Sequence, residues 1–170
     1  MSQAIVYTSN TGYTEKYAQM LSQETGLPLY SLEQAAQSLP AGAKIIYLGW
    51  LMAGTIQGYR KAAKVFRIQA AVAVGMAPNG ALETAVRKAN HLDGSLPVFT
   101  LQGGYDRSRV KGIYGLMMDM LTKKMRRDQA KKGASEADRQ MLQMMTEGGD
   151  WVAEESLMPV LDWYRCRENG

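Results

Sequence analysis

The sequence predicts an α/β protein: a doubly wound, five-stranded parallel sheet with helices on both faces. Three observations predict it. Short apolar runs of strand length alternate with stretches of helical period. The first such run ends in small hydroxyl residues and a glycine, Ser9-Asn10-Thr11-Gly12-Tyr13-Thr14, and turns straight into a helical stretch. The chain of 170 residues fits a single domain, 1–170, with a core large enough to need no staples.

The elements follow in order. Ala4–Thr8 reads as the first strand. Residues 14–25 read as a helix with Tyr17, Met20 and Leu21 facing the sheet, closed by Gly26. Leu29–Ser31 is a short second strand, and 32–38 gives one or two helical turns. Residues 44–49, Lys-Ile-Ile-Tyr-Leu-Gly, form the third strand, and a loop over 50–55 leads to a helix at 56–68. The fourth strand is 71–75. Pro78-Asn79-Gly80 marks a turn, 81–91 a helix, Asp93-Gly94 another turn and 96–101 the fifth strand. Gly103-Gly104 breaks that strand before a long helical pattern over 109–132. A last helix lies within 151–166.

Composition narrows the setting. The one cysteine, Cys166, excludes an internal disulfide framework and fits a reducing compartment. The chain enters a strand almost at once, which leaves no room for a secretory signal, and no apolar run is long enough to span a bilayer. The expected location is cytoplasmic, with peripheral contact at the inner face of a membrane as its extension. That extension comes from the charge pattern. Residues 106–132 hold nine Lys/Arg against three Asp/Glu, whereas 133–170 hold three against eight. Within the basic segment Val110, Ile113, Tyr114, Met117, Leu121 and Met125 form an apolar stripe, widened by Leu116, Met118 and Met120. Basic ends beside a broad apolar face suit an anionic lipid surface. The same pattern also suits a long helix that covers the sheet with its charges in water. Nucleic acid is not an expected partner, because aromatic residues are sparse there and the rest of the chain is slightly acidic.

The 9–14 loop has the make-up of a phosphate cradle. Amides at a helix N-terminus carry partial positive charge, hydroxyls add donors without bulk, and Gly12 allows close backbone approach. It lacks the Gly-Lys-Ser/Thr of a triphosphate loop and the three glycines of a dinucleotide fingerprint. An ordinary strand-to-helix turn with a good cap is the competing reading. In a doubly wound sheet the ligand lies outside the carboxyl ends of the strands, so loops 50–55 and 76–80 are the ones that would share a ligand with 9–14. His91 sits near a helix end, far from those loops, and reads as a capping or surface residue. No metal-ligand cluster and no catalytic triad pattern is visible.

The loop resembles the FMN-phosphate loop of the flavodoxin family, Ser/Thr-x-Thr-Gly-x-Ser/Thr, starting here at Ser9. Within that superfamily the chain is similar to the flavodoxin-like, quinone-dependent protoporphyrinogen oxidases. The likeness rests on Gly103-Gly104-Tyr105-Asp106-Arg107-Ser108-Arg109, the basic, Met-rich helix after it, and Gly148-Gly149-Asp150-Trp151. The resemblance implies strand order 2-1-3-4-5 and FMN as cofactor. It implies oxidation of a reduced small-molecule substrate with a quinone as acceptor, the long helix touching membrane or quinone. It places the phosphate on Ser9, Asn10, Thr11, Gly12, Tyr13 and Thr14. The ring would lie between Trp50, Leu51, Met52, Ala53 and Gly54 on one side and Met76, Ala77, Pro78 and Asn79 on the other, with Gly104 and Tyr105 adjacent. Trp50 is expected to stack on the flavin or to be a plain rim tryptophan. Loop 76–80 carries no aromatic residue, so either one ring face is open to substrate or Tyr105 reaches across. Two alternatives stand beside the enzyme: an electron carrier with a redox partner protein, and a flavin-free interaction module.

Overall fold

The computed structural model describes residues 1–133 and 135–168. Its strands are β1 (Ala4–Thr8), β2 (Leu29–Ser31), β3 (Lys44–Met52), β4 (Thr55–Ile56), β5 (Arg67–Gly75), β6 (Val98–Gln102), β7 (Gly104–Tyr105) and β8 (Gly149–Asp150). Its helices are α1 (Tyr13–Thr25), α2 (Leu32–Ser38), α3 (Tyr59–Val65), α4 (Glu83–Asn90), α5 (Gly112–Lys132), α6 (Glu136–Glu147) and α7 (Met158–Glu168). Short 3-10 turns occupy Arg107–Arg109 and Glu154–Leu157.

The main sheet runs β2-β1-β3-β5-β6 with every pairing on that path parallel, and β4 folds back antiparallel on the end of β3. The strands are apolar on both sides, as helices on both faces require. Ala4, Val6, Ile45, Tyr47, Ala71 and Ala73 point into one core with Ala35, Ala62 and Val86 from α2, α3 and α4. Ile5, Ile46, Leu48, Val72 and Val74 point into the other, with Tyr17 and Leu21 of α1 and Val160 and Leu161 of α7. Period-two alternation along each strand thus divides the same segments between two layers.

Boundaries move where local chemistry overrides pattern. The α1 helix begins at Gly12, held left-handed at φ 97°, and ends at Gly26, also left-handed. The expected turn or two at 32–38 is a full α2, fixed by a capping box between Ser31 and Gln34. The expected loop at 50–55 is instead a tight hairpin. Strand β3 runs on to Met52, Ala53 and Gly54 turn with φ of 48° and 78°, and Thr55 pairs back with Met52. Positive φ at both turn residues is what a two-residue hairpin needs to match strand twist. Buried Asn90 of α4 pins this hairpin, donating to the Gly54 carbonyl and accepting from the Ile56 amide. With Ile56 drawn into β4 and Gly58 capping at φ 78°, the helix expected over 56–68 shrinks to α3, and β5 starts at Arg67.

The largest departure is at the carboxyl end of the sheet. The long helical pattern expected over 109–132 is α5 from Gly112 onward, preceded by the 3-10 turn at Arg107–Arg109, but α5 does not cover the sheet. It pairs with α6, a helix the sequence pattern did not announce, and the two enclose a third, small core of Tyr105, Val110 and Met145. The neck of this excursion is the two-stranded ladder β7–β8, where Tyr105 pairs with Gly149.

Candidate functional site

The carboxyl ends of β1, β3 and β5 open into a cavity of about 600 Å³, roofed by α5 and α6. That volume is within the range of small-molecule sites, ~300–1,000 Å³. Three expected segments meet there: Asn10, Thr11, Tyr13 and Thr14; Trp50 to Gly54; and Met76 with Ala77, joined by Gly104 and Tyr105. Ser9, Gly12, Pro78 and Asn79 do not line it. Ser9 instead shapes the loop, its Oγ accepting from the Gly12 amide at 3.0 Å. Asn79 is turned away from the cavity: its side chain accepts from the Gln102 amide at 2.7 Å and donates to Ser156 Oγ at 2.9 Å. Asn79 therefore braces the turn, in which the Pro78 carbonyl accepts from the Ala81 amide at 3.1 Å.

At the loop end of the cavity the amides of Tyr13, Thr14 and Glu15 have no intrahelical acceptor, as the first turn of any helix dictates. The Lys16 amide is the first to be satisfied, by the Gly12 carbonyl. Two cations flank this end. Arg109 donates to the Thr11 carbonyl at 3.2 Å and lies near the Tyr13 ring, and Lys16 lies near the same ring while paired with Asp150. Burial pulls the Asp150 carboxyl upward, but the hydrogen bond and charge of Lys16, with the Val152 amide, hold it below its ordinary range. Glu15 brings opposing charge, taken up by a hydrogen bond from Tyr7; burial and that carboxylate push the Tyr7 phenol to about 12.

The rest of the wall is apolar and carries no charged side chain. Trp50 meets Tyr114 of α5 edge to face, with centroids 5.2 Å apart. The indole is thereby fixed between the hairpin and the roof. Tyr105 is 6% exposed and its hydroxyl has no hydrogen-bond partner among the described residues. Burial raises both Tyr13 and Tyr105 above the ordinary phenol range, so both are neutral at physiological pH. The Gly54 peptide is fixed, its carbonyl accepting from the Asn90 side-chain amide at 2.9 Å. His91 caps α4 in a left-handed conformation and is exposed, away from the cavity.

Sequence reading missed the roof. Met117, Met118, Leu121 and Met125 of α5 and Met141 and Met145 of α6 supply that side of the cavity. The Met-rich stripe was visible; its target was not, because α6 was not foreseen. The readable signal for α6 was Ser135 followed three residues later by Asp138, which form a capping box.

Such a site suits an elongated ligand with an anionic end at α1 and an uncharged, planar or apolar body under the methionines. Compared with protein-family models, curated proteins and solved structures, the chain matches none.

Proposed function

We propose that this chain is an FMN-binding redox protein of the flavodoxin fold that passes electrons or hydride between the flavin and an apolar small molecule. The observation that carries this reading is the convergence of the 9–14 loop and the 50–54 hairpin on one uncharged cavity above the sheet. Further support comes from the strand path. With the two-residue β4 set aside, the five parallel strands run 2-1-3-4-5, and flavodoxins bind FMN between the first and third strands of that order.

The residues present fit FMN. Its phosphate is suited to the free amides of Tyr13, Thr14 and Glu15, with Arg109 and Lys16 balancing its charge. Gly12 has the conformation that brings this turn close to an anion, one that a side chain would strain. Trp50, Met52 and Met76 provide an apolar surface for the ring, and the α5–α6 roof keeps water from it. When bound, FMN supplies the electron or hydride transfer. Since no ionised group lines the wall, proton exchange falls to backbone amides, neutral tyrosines or solvent at the mouth. Resemblance makes a reduced porphyrin with a quinone acceptor the first substrate pair to try.

The test is the visible absorption spectrum of purified protein mixed with FMN and freed of excess. A retained flavin band is expected, and Gly12→Val should abolish it while circular dichroism stays native. A colourless wild-type protein, or a coloured Gly12→Val variant, would refute the assignment.

A further inference from the structure

Among the described residues two side-chain hydroxyls are buried without a hydrogen-bond partner, those of Thr100 and Tyr105. Leaving a buried hydroxyl unpaired costs stability, so each needs a physical reason. Thr100 lies within β6 and does not line the cavity; Tyr105 does. Beyond the loop that ends at Thr14, Trp50 and Tyr105 are the described lining residues with a side-chain hydrogen-bond donor. The fold fixes the Tyr105 ring in place. Its backbone pairs with Gly149 across β7–β8, and its side chain shares a core with Val110 and Met145, edged by further methionines. Thioethers accept hydrogen bonds weakly and donate none. The charges nearest the phenol act on it only through space, Arg107 being bound to Asp119, and Asp106 to Ser108. Burial holds the phenol above its ordinary range against the pull of Arg107, so the hydroxyl keeps its proton and stays a donor.

We infer that the Tyr105 hydroxyl donates a hydrogen bond to a carbonyl oxygen on the uncharged body of the cavity's ligand, and so selects ligands that carry one. The missing partner arrives with the ligand. A site with a buried donor rejects an analogue that lacks the matching acceptor, because the donor is then left unpaired in the complex as well. The acceptor is a neutral carbonyl rather than a carboxylate, since no charged side chain lines the wall to balance an anion there. The inference rests on the redox reading above only for the identity of that body. The ring carbonyls of a flavin and those of an apolar electron acceptor offer the same chemistry.

The experiment compares Tyr105→Phe, which keeps the ring and removes only the hydroxyl, with Thr100→Val as the control, both in the full chain. Each variant should unfold at a higher denaturant concentration than wild type, since each loses an unpaired buried group. Calorimetric titration with FMN, duroquinone and durene then reads the hydrogen bond. Duroquinone is a neutral planar dicarbonyl, and durene is the same methylated ring without the carbonyls. Tyr105→Phe should weaken FMN or duroquinone by about tenfold and leave durene unchanged, whereas Thr100→Val should weaken none of them. A loss on FMN with a shifted flavin absorption band assigns the bond to the flavin ring. A loss on duroquinone alone assigns it to the electron acceptor. Wild type that binds duroquinone but not FMN refutes the cofactor assignment, and the duroquinone-to-durene ratio then decides this inference by itself. The inference is overturned if Tyr105→Phe unfolds more easily than wild type, which would mean that the hydroxyl has a partner within the protein. It is also overturned if Tyr105→Phe binds FMN and duroquinone as wild type does, if durene weakens as much as duroquinone, or if wild type binds neither carbonyl ligand.

Discussion

The sheet and the α5–α6 excursion are built on opposite terms. In the sheet, Ile5, Ile46, Leu48, Val72 and Tyr17 are wholly buried, and small alanines alternate with large side chains so that both layers close. Among its described apolar side chains the excursion buries only Tyr105, Val110 and Met145 outright, surrounds them with methionines, and leaves five large ones in the open. Branched side chains with few rotamers specify one packing; unbranched methionines fill irregular space and adapt. The lesson is that the sheet fixes geometry at the carboxyl edge, while the excursion encloses a volume without dictating its contents.

Core truncation in the sheet should have the largest effect. Leu21→Ala removes a fully buried side chain from a closed layer and should cost ~3–5 kcal/mol in denaturant unfolding. The matching change in the excursion, Met145→Ala, should cost under about 2 kcal/mol, because the void it leaves merges with a cavity already present. Equal losses in the two would erase the contrast. Next comes Gly12→Val. Its φ of 97° and its place at the anion end should weaken FMN by about a hundredfold, ~2.7 kcal/mol, measured by fluorescence titration. A smaller loss is expected from Tyr17→Phe. The Tyr17 hydroxyl donates to the Gln102 carbonyl at 2.6 Å, joining α1 to the end of β6, and its removal should cost ~1–2 kcal/mol.

The smallest effect concerns the clasp between the two regions. Asp150 titrates below its ordinary range, so the Lys16–Asp150 contribution is complete above the unfolded carboxyl pKa and disappears as pH falls through the folded one. Both side chains are nearly half exposed, which limits the pair to about 1 kcal/mol. Asp150→Asn should flatten the acid limb of the stability profile by that amount and leave neutral-pH flavin binding nearly unchanged.

The same contrast governs what could be read from the sequence. Strands β1 and β2 sit where apolar pattern and turn residues put them, and α1 ends at Gly26 as expected, since burial and local signals agree there. The hairpin at 53–54 was hidden because Ala-Gly is a weak turn signal; buried Asn90 closes it from a distant helix. The α6 helix was hidden because its methionines face another helix, so its pattern had meaning only with α5 in place. Of the site, the 9–14 loop, the 50–54 segment, Met76 and Tyr105 were legible as ends of strands. The roof was not, nor was the turning away of Asn79, which depends on Ser156 far along the chain.

The β7–β8 neck has a consequence for how such a protein changes over time. Chain leaving the sheet after Gln102 and chain returning at Trp151 are joined by backbone hydrogen bonds, Tyr105 opposite Gly149 and the Trp151 amide on the Gly103 carbonyl at 2.9 Å. Everything between them begins and ends at one point. Insertions, deletions or wholesale exchange of the helices beyond that point leave the register of the sheet untouched, because the added loop costs little entropy once its ends are fixed. One cradle can therefore be inherited intact while its roof is rewritten for a different guest.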